Sequence, residues 1–177
     1  MRSILVLILL GVMLLTGALV TRSGILARKD PGRPINKAMR EALNNERPQF
    51  STDDAMLIAK TYGNAHKTAS GLQYVVRSPG TSEAMPSPGN EVICHYDGRL
   101  LDGTSFDSSY RRGAPFTFRL GAGAVIRGWD EGFATMHKGE KRTLIVPYWL
   151  AYGEKGHPPE IPAKATLIFE VELLDWR

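Results

Sequence analysis

The chain has 177 residues, 43% of them apolar and 23% charged, so it reads as an ordinary globular protein with room for one domain plus extra segments. Its net charge of +4 is unevenly placed: residues 1–50 carry eight Lys/Arg against three Asp/Glu, and residues 51–177 carry fourteen against fifteen. A nucleic-acid-binding domain carries its basic patch on the fold, so that class is set aside, and the lone Cys94 excludes an intramolecular disulfide and a cluster of soft metal ligands.

Ile4 to Val20 is an apolar run broken only by Gly and Thr16, between Arg2 and Arg22. It is too uniformly apolar for one stripe of a soluble helix. It fits an uncleaved signal-anchor or a cleaved signal peptide over 1–21, which implies a membrane-anchored protein or one exported to the periplasm. Arg22, Arg28, Lys29 and Arg33 follow the run, a charge flank that would keep the bulk of the chain in the cytoplasm, so orientation stays open. Residues 22–68 read as a basic linker with one or two short helices. One is expected around Asn36–Glu46. The other starts at Ser51, which can cap it, with Asp53 and Asp54 suiting the first turn. Ala55, Ile58, Ala59, Tyr62 and Ala65 continue at helical spacing, to pack on the domain or on a second copy.

From Gly71 the period changes to two. Leu72, Tyr74 and Val76 form one alternating set, then Val92, Cys94 and Tyr96, then Phe116, Phe118 and Leu120. Leu144 and Val146 follow, and last Leu167, Phe169, Val171 and Leu173. This predicts an antiparallel sheet covered on one side. Ala124–Met136 departs from alternation, with Ile126, Trp129 and Phe133 on one helix face. One short helix across a twisted sheet is an α+β architecture over residues 69–177, with a cleft between helix and sheet.

Three blocks in that region carry a resemblance: HYDGRLLDGTSFDSSY (95–110), VIRGWDEG (125–132) and LAYGEKGHPPEIPAKATLIFEVELL (150–174). Together and in this order they resemble the FKBP-type peptidyl-prolyl isomerases, of a bacterial-like kind with an N-terminal membrane-targeting segment. The resemblance implies an FKBP-like fold, a twisted antiparallel sheet wrapped around one short helix, acting on proline-containing polypeptides. It implies no cofactor and no metal, and sensitivity to macrolide-type inhibitors. By motif it assigns Tyr96, Phe106, Asp107, Trp129, Tyr152 and Phe169 as catalytic. Phe116, Val125, Ile126, Ile161, Arg112 and His157 are assigned to substrate binding. Trp129 would form the floor under the proline ring, Tyr152 would offer its hydroxyl to a substrate carbonyl, and Asp107 would sit at the cleft edge, tied to Tyr96 and Arg112.

Rotation about a peptide bond meets a barrier of about 18–20 kcal/mol, and no bond need break. An apolar aromatic pocket strips water from the amide and favours its twisted, less polar transition state. Seen alone, Tyr96, Phe106, Phe116 and Phe169 suit a core as well as a site. Phe118, Leu144, Leu167 and Val171 read as core, Asp130 and Glu131 as a solvated helix face, and Gly121-Ala-Gly123 carries no phosphate-loop context. The family often has Pro and an acidic residue where Tyr148 and Trp149 stand here, and an apolar residue at Glu160. Trp149 either presents an aromatic surface to a client or covers the end of the sheet. The competing reading is a membrane-tethered chaperone or interaction module with an isomerase-like fold; a monomer is expected in either case.

Overall fold

The computed structural model describes residues 48–177. The apolar run, the helix expected at 36–46 and the membrane assignment lie outside the described residues. Among the described residues no helix is long and apolar enough to cross a membrane.

Helix α1 (Thr52–Thr61) begins where Ser51 caps it, the Oγ accepting from the Asp54 N–H at 3.0 Å. Asp53 and Asp54 in the first turn and Lys60 in the last complement the helix dipole. The helix stops four residues short of Ala65, because the chain leaves helical geometry at Tyr62 and Ala65 closes a turn on the Tyr62 carbonyl.

Seven strands follow: β1 (His66–Lys67), β2 (Gln73–Ser78), β3 (Glu91–Leu100), β4 (Ser105–Ser108), β5 (Phe116–Arg119), β6 (Lys141–Val146) and β7 (Leu167–Trp176). All pairings are antiparallel, in the order β1-β2-β6-β7-β3-β4, with β5 also paired to β3. Helix α2 (Arg127–Phe133) lies against one face. Between them sits the core: Val92, Cys94, Phe118, Leu144, Val146, Leu167, Val171 and Leu173 from the sheet, with Trp129, Phe133 and Met136.

The helix meets the sheet through glycine. A Cβ at Gly128 would stand 2.4 Å from Val146 Cγ1, and one at Gly132 3.0 Å from Leu144 Cδ1. Four residues apart, these glycines form one bare helix face on which β6 packs. The helix is about a turn shorter at each end than expected. Val125 and Ile126 precede it, Ile126 being extended (φ −61°, ψ 146°), and Met136 lies beyond it.

The one-sided sheet is corrected too. Ile145 and Ile168 are buried on the opposite face, against Ile58 of α1, with Phe50, Tyr62, Ala65 and Leu101 around them. The middle of β6 is therefore buried on both faces. On β2 the buried valine is Val75, paired with Thr143; Val76 is 43% exposed at the sheet margin, where a bulge separates it from Ser78.

The sequence also gave no warning of a buried ion pair. Arg142 and Glu140 are 4% and 2% exposed, and Arg142 Nη2 lies 2.6 Å from Glu140 Oε1. Arg142 further donates to Thr135 Oγ1 (2.8 Å) and to the Thr135 carbonyl (3.0 Å), and its guanidinium lies 4.3 Å from the Tyr74 ring centre. Glu140 Oε2 accepts from the His137 N–H at 2.9 Å. Each charge is matched by partners, as a buried pair requires.

Candidate active site

β3 brings Tyr96 to the open end of the core, and β7 brings Phe169 beside it; the start of α2 puts Trp129 between them. Trp129 is 4% exposed and is ringed by aromatics: Tyr96 at 4.8 Å between centroids, Phe169 at 5.2 Å and Phe116 at 5.9 Å, all near perpendicular. Edge-to-face packing of this kind holds rings without stacking them shut. Phe106 from β4 closes one wall against Phe169 (5.7 Å, 89°). Above the indole remains an open cleft of about 370 Å³, within the range that takes small ligands.

Ten of the twelve residues expected at the site line this cleft: Tyr96, Phe106, Asp107, Arg112, Phe116, Val125, Ile126, Trp129, Tyr152 and Phe169. Two do not. Ile161 is 4% exposed and packs in the core cluster without lining the cleft, on a turn where its backbone pairs with that of His157. His157 is held outside the cleft, exposed on that same turn, 3.8 Å from Glu160. Its ring lies 5.6 Å from that of Tyr152, a cleft residue. One lining residue went unforeseen: Ala124, which carries no chemical signal of its own.

The cleft edge is a closed polar triad. Tyr96 donates its hydroxyl hydrogen to Asp107 Oδ2, Arg112 Nη1 donates to Asp107 Oδ1, and Arg112 Nη2 donates to Tyr96 Oη at 2.6 Å. Asp107 also accepts from the Ser108 N–H at 2.8 Å, which ties it to the strand. Burial pushes the Tyr96 phenol up to about 12, with Asp107 adding to the rise and Arg112 opposing it. Tyr96 is therefore a fixed proton donor at neutral pH. The Tyr152 phenol is also raised, first by burial and then by the Asp107 charge, and its hydroxyl has no hydrogen-bond partner among the described residues.

Two neighbours of the cleft, Asp130 and Trp149, have further partners. Asp130 is half-buried on the helix surface, and its Oδ1 also accepts from the Gly121 N–H at 2.9 Å, fastening the approach to α2. Trp149 is half-buried, its Nε1–H donating to the Ser70 carbonyl at 2.9 Å and its ring 5.3 Å from Phe50. Of its two readings the structure favours the cover of the sheet end, not the surface for a client.

Comparison with known proteins agrees with this geometry. Residues 82–174 match the model of the FKBP-type peptidyl-prolyl cis-trans isomerase family. The chain is 46% identical over 125 residues to peptidyl-prolyl cis-trans isomerase FKBP15-2 of Arabidopsis thaliana, covering 71% of this chain and 75% of that one. It is 50% identical over 104 residues to Fkbp12 of Drosophila melanogaster, covering 59% and 96%, and 57% identical over 86 residues to FKBP2 of Mus musculus, covering 49% and 61%. The crystal structure of AtFKBP13 superposes with a TM-score of 0.60 at 37% identity, over 64% of this chain and 98% of that one. These relatives are eukaryotic and lend no support to the bacterial-like kind or to the membrane-targeting segment. With the aromatic cleft, the polar edge and the matched stretch all falling in the same residues, the chain belongs to the FKBP-type peptidyl-prolyl cis-trans isomerase family.

Proposed function

We propose that the cleft over Trp129 accelerates X–Pro rotation without covalent chemistry, by drying the amide and fitting its twisted form. The observation that carries this is an indole floor walled by Tyr96, Phe116 and Phe169 yet open above. In water, hydrogen bonds to the amide oxygen favour the planar, polarised bond. Apolar walls remove them, and what binds the twisted form more tightly lowers the barrier. A thousandfold acceleration requires only about 4 kcal/mol. The Tyr152 hydroxyl supplies a hydrogen bond to a substrate carbonyl, and the triad of Tyr96, Asp107 and Arg112 keeps the cleft edge polar and in place.

An NMR exchange assay on an X–Pro peptide tests this. Tyr152→Phe is expected to lower kcat/KM by about two- to tenfold, the worth of one hydrogen bond. Trp129→Ala, which removes the floor, lowers it by more than about tenfold, corresponding to a loss above about 1.4 kcal/mol. A native chain no faster than background ends the proposal. We further assign the apolar run 4–20 to membrane targeting, as a retained anchor or a cleaved signal. N-terminal sequencing of the mature protein separates the two; recovery of the untagged chain in the soluble fraction with Met1 intact would remove the assignment.

A further inference from the structure

Tyr152 is the cleft residue least held by the cleft itself. It is 41% exposed, its one ring contact among the described residues is His157, and its hydroxyl is unpartnered there. It rides on the long connection between β6 and β7, so something outside the cleft must fix it.

That support lies on the far side of the connection. Just before Tyr152 the chain makes a 3-10 turn, Tyr148–Leu150. The Ala151 N–H donates to the Tyr148 carbonyl at 3.1 Å and the Gly153 N–H to the same oxygen at 2.8 Å, so this turn spans Tyr152. Trp149 within the turn reaches back, through its bond to the Ser70 carbonyl and its ring contact with Phe50. The indole lies so close to Gly71 (φ +97°) that a Cβ there would come within 2.8 Å of Cζ2. At the other end of the connection Thr166, 4% exposed, donates to Asp54 Oδ2 at 2.6 Å, in the first turn of α1. Ile58 anchors α1 to the sheet. The segment before β2 thus grips the connection at both ends.

We infer that Trp149 is a positioning residue for the isomerase reaction: with Phe50 and α1 it braces the β6–β7 connection so that the Tyr152 hydroxyl is held where the substrate carbonyl arrives. The inference rests on the role given to Tyr152 above. A donor aids a transition state only when already in place, and a displacement of about 1 Å costs as much as about a hundredfold.

The test is a double-mutant cycle in the full chain, reading kcat/KM on an X–Pro peptide. Trp149→Ala lowers it about fivefold in the native background and less than about twofold beside Tyr152→Phe, since nothing is left to position. Trp149→Phe keeps a ring against Phe50 without the N–H and falls between. Amide exchange at Gly153 rises in Trp149→Ala and in Phe50→Ala while β3 and β7 stay protected. Equal losses in both backgrounds, or unchanged exchange at Gly153, overturn the inference. Should Trp149→Ala not fold, Trp149→Phe and Phe50→Ala run the same cycle. If Tyr152→Phe alone leaves the rate intact while Trp129→Ala lowers it, the Tyr152 role has failed and the brace with it; loss of neither rate sinks the cleft itself.

Discussion

Cys94 and Tyr96 lie two apart on the buried face of β3, and both keep their protons to high pH chiefly because burial penalises the charged form. Burial pushes the Cys94 thiol from its ordinary 9.0 up to about 12, and the Tyr96 phenol from 10.0 up to about 12. In the unfolded chain both ionise near their ordinary values. Between pH 9 and 12 the unfolded state therefore binds fewer protons, and stability falls as pH rises. Their contribution is complete below pH 9. Urea unfolding at steps from pH 8 to 11 is expected to show a declining free energy, and Cys94→Val to flatten the decline by removing the thiol's share of it. An equal slope in the variant would show that the thiol is not the group responsible.

At the scale of elements, the contact of α2 with β6 decides how the core closes. Gly128→Ala puts a methyl where only 2.4 Å separates it from Val146 Cγ1, a side chain with no exposure and no room to retreat. Overpacking of this kind costs about 1–3 kcal/mol, against a helix-propensity gain of about 1 kcal/mol from replacing Gly by Ala. Denaturant melts should show net destabilisation, partly recovered by Val146→Ala in the same chain. These elements were unequally legible in the sequence. The alternation of β3 and β5 was plain because most of the residues between their buried ones are polar. The length of α2 was overread because Ile126 and Met136 keep helical spacing. At its C-terminal end the carbonyls are taken up by a distant side chain: Arg142, ten residues from Gly132, reaches the Gly132 carbonyl at 3.3 Å and that of Thr135 at 3.0 Å. The sheet was expected to be covered on one side only, while α1 was expected to pack on the domain or on a second copy; Ile58 meets the domain. Ile145 and Ile168 break the parity of their strands, and that break announces a second buried face without naming α1 as its cover.

At the scale of the molecule, the cleft is assembled from β3, β4, β5, the start of α2, the β6–β7 connection and β7, so its residues are far apart in sequence and near in space. Residues set on strands and helix were readable from the motif blocks, because regular structure fixes where a side chain points. Ile161 and His157 sit on a turn joined by a backbone pairing, where no strand or helix period fixes where a side chain points. A ligand bridging these elements should stabilise the whole described unit. The family takes macrolide ligands, and at a hundred times its Kd such a ligand adds about 2.7 kcal/mol. For a domain of this size that raises Tm by roughly 5–15 °C. Two variants separate binding from stability. Ile58→Ala removes a buried side chain on the opposite face of the sheet and lowers stability by about 2–4 kcal/mol, yet should retain most of the macrolide shift, losing only the share that a well-placed Tyr152 contributes. Trp129→Ala also destabilises, but loses the shift, because it removes the floor on which the ligand rests. A macrolide shift that survives Trp129→Ala would place the ligand elsewhere, and one abolished in Ile58→Ala would mean that the cleft depends on the α1 face for more than the placing of Tyr152.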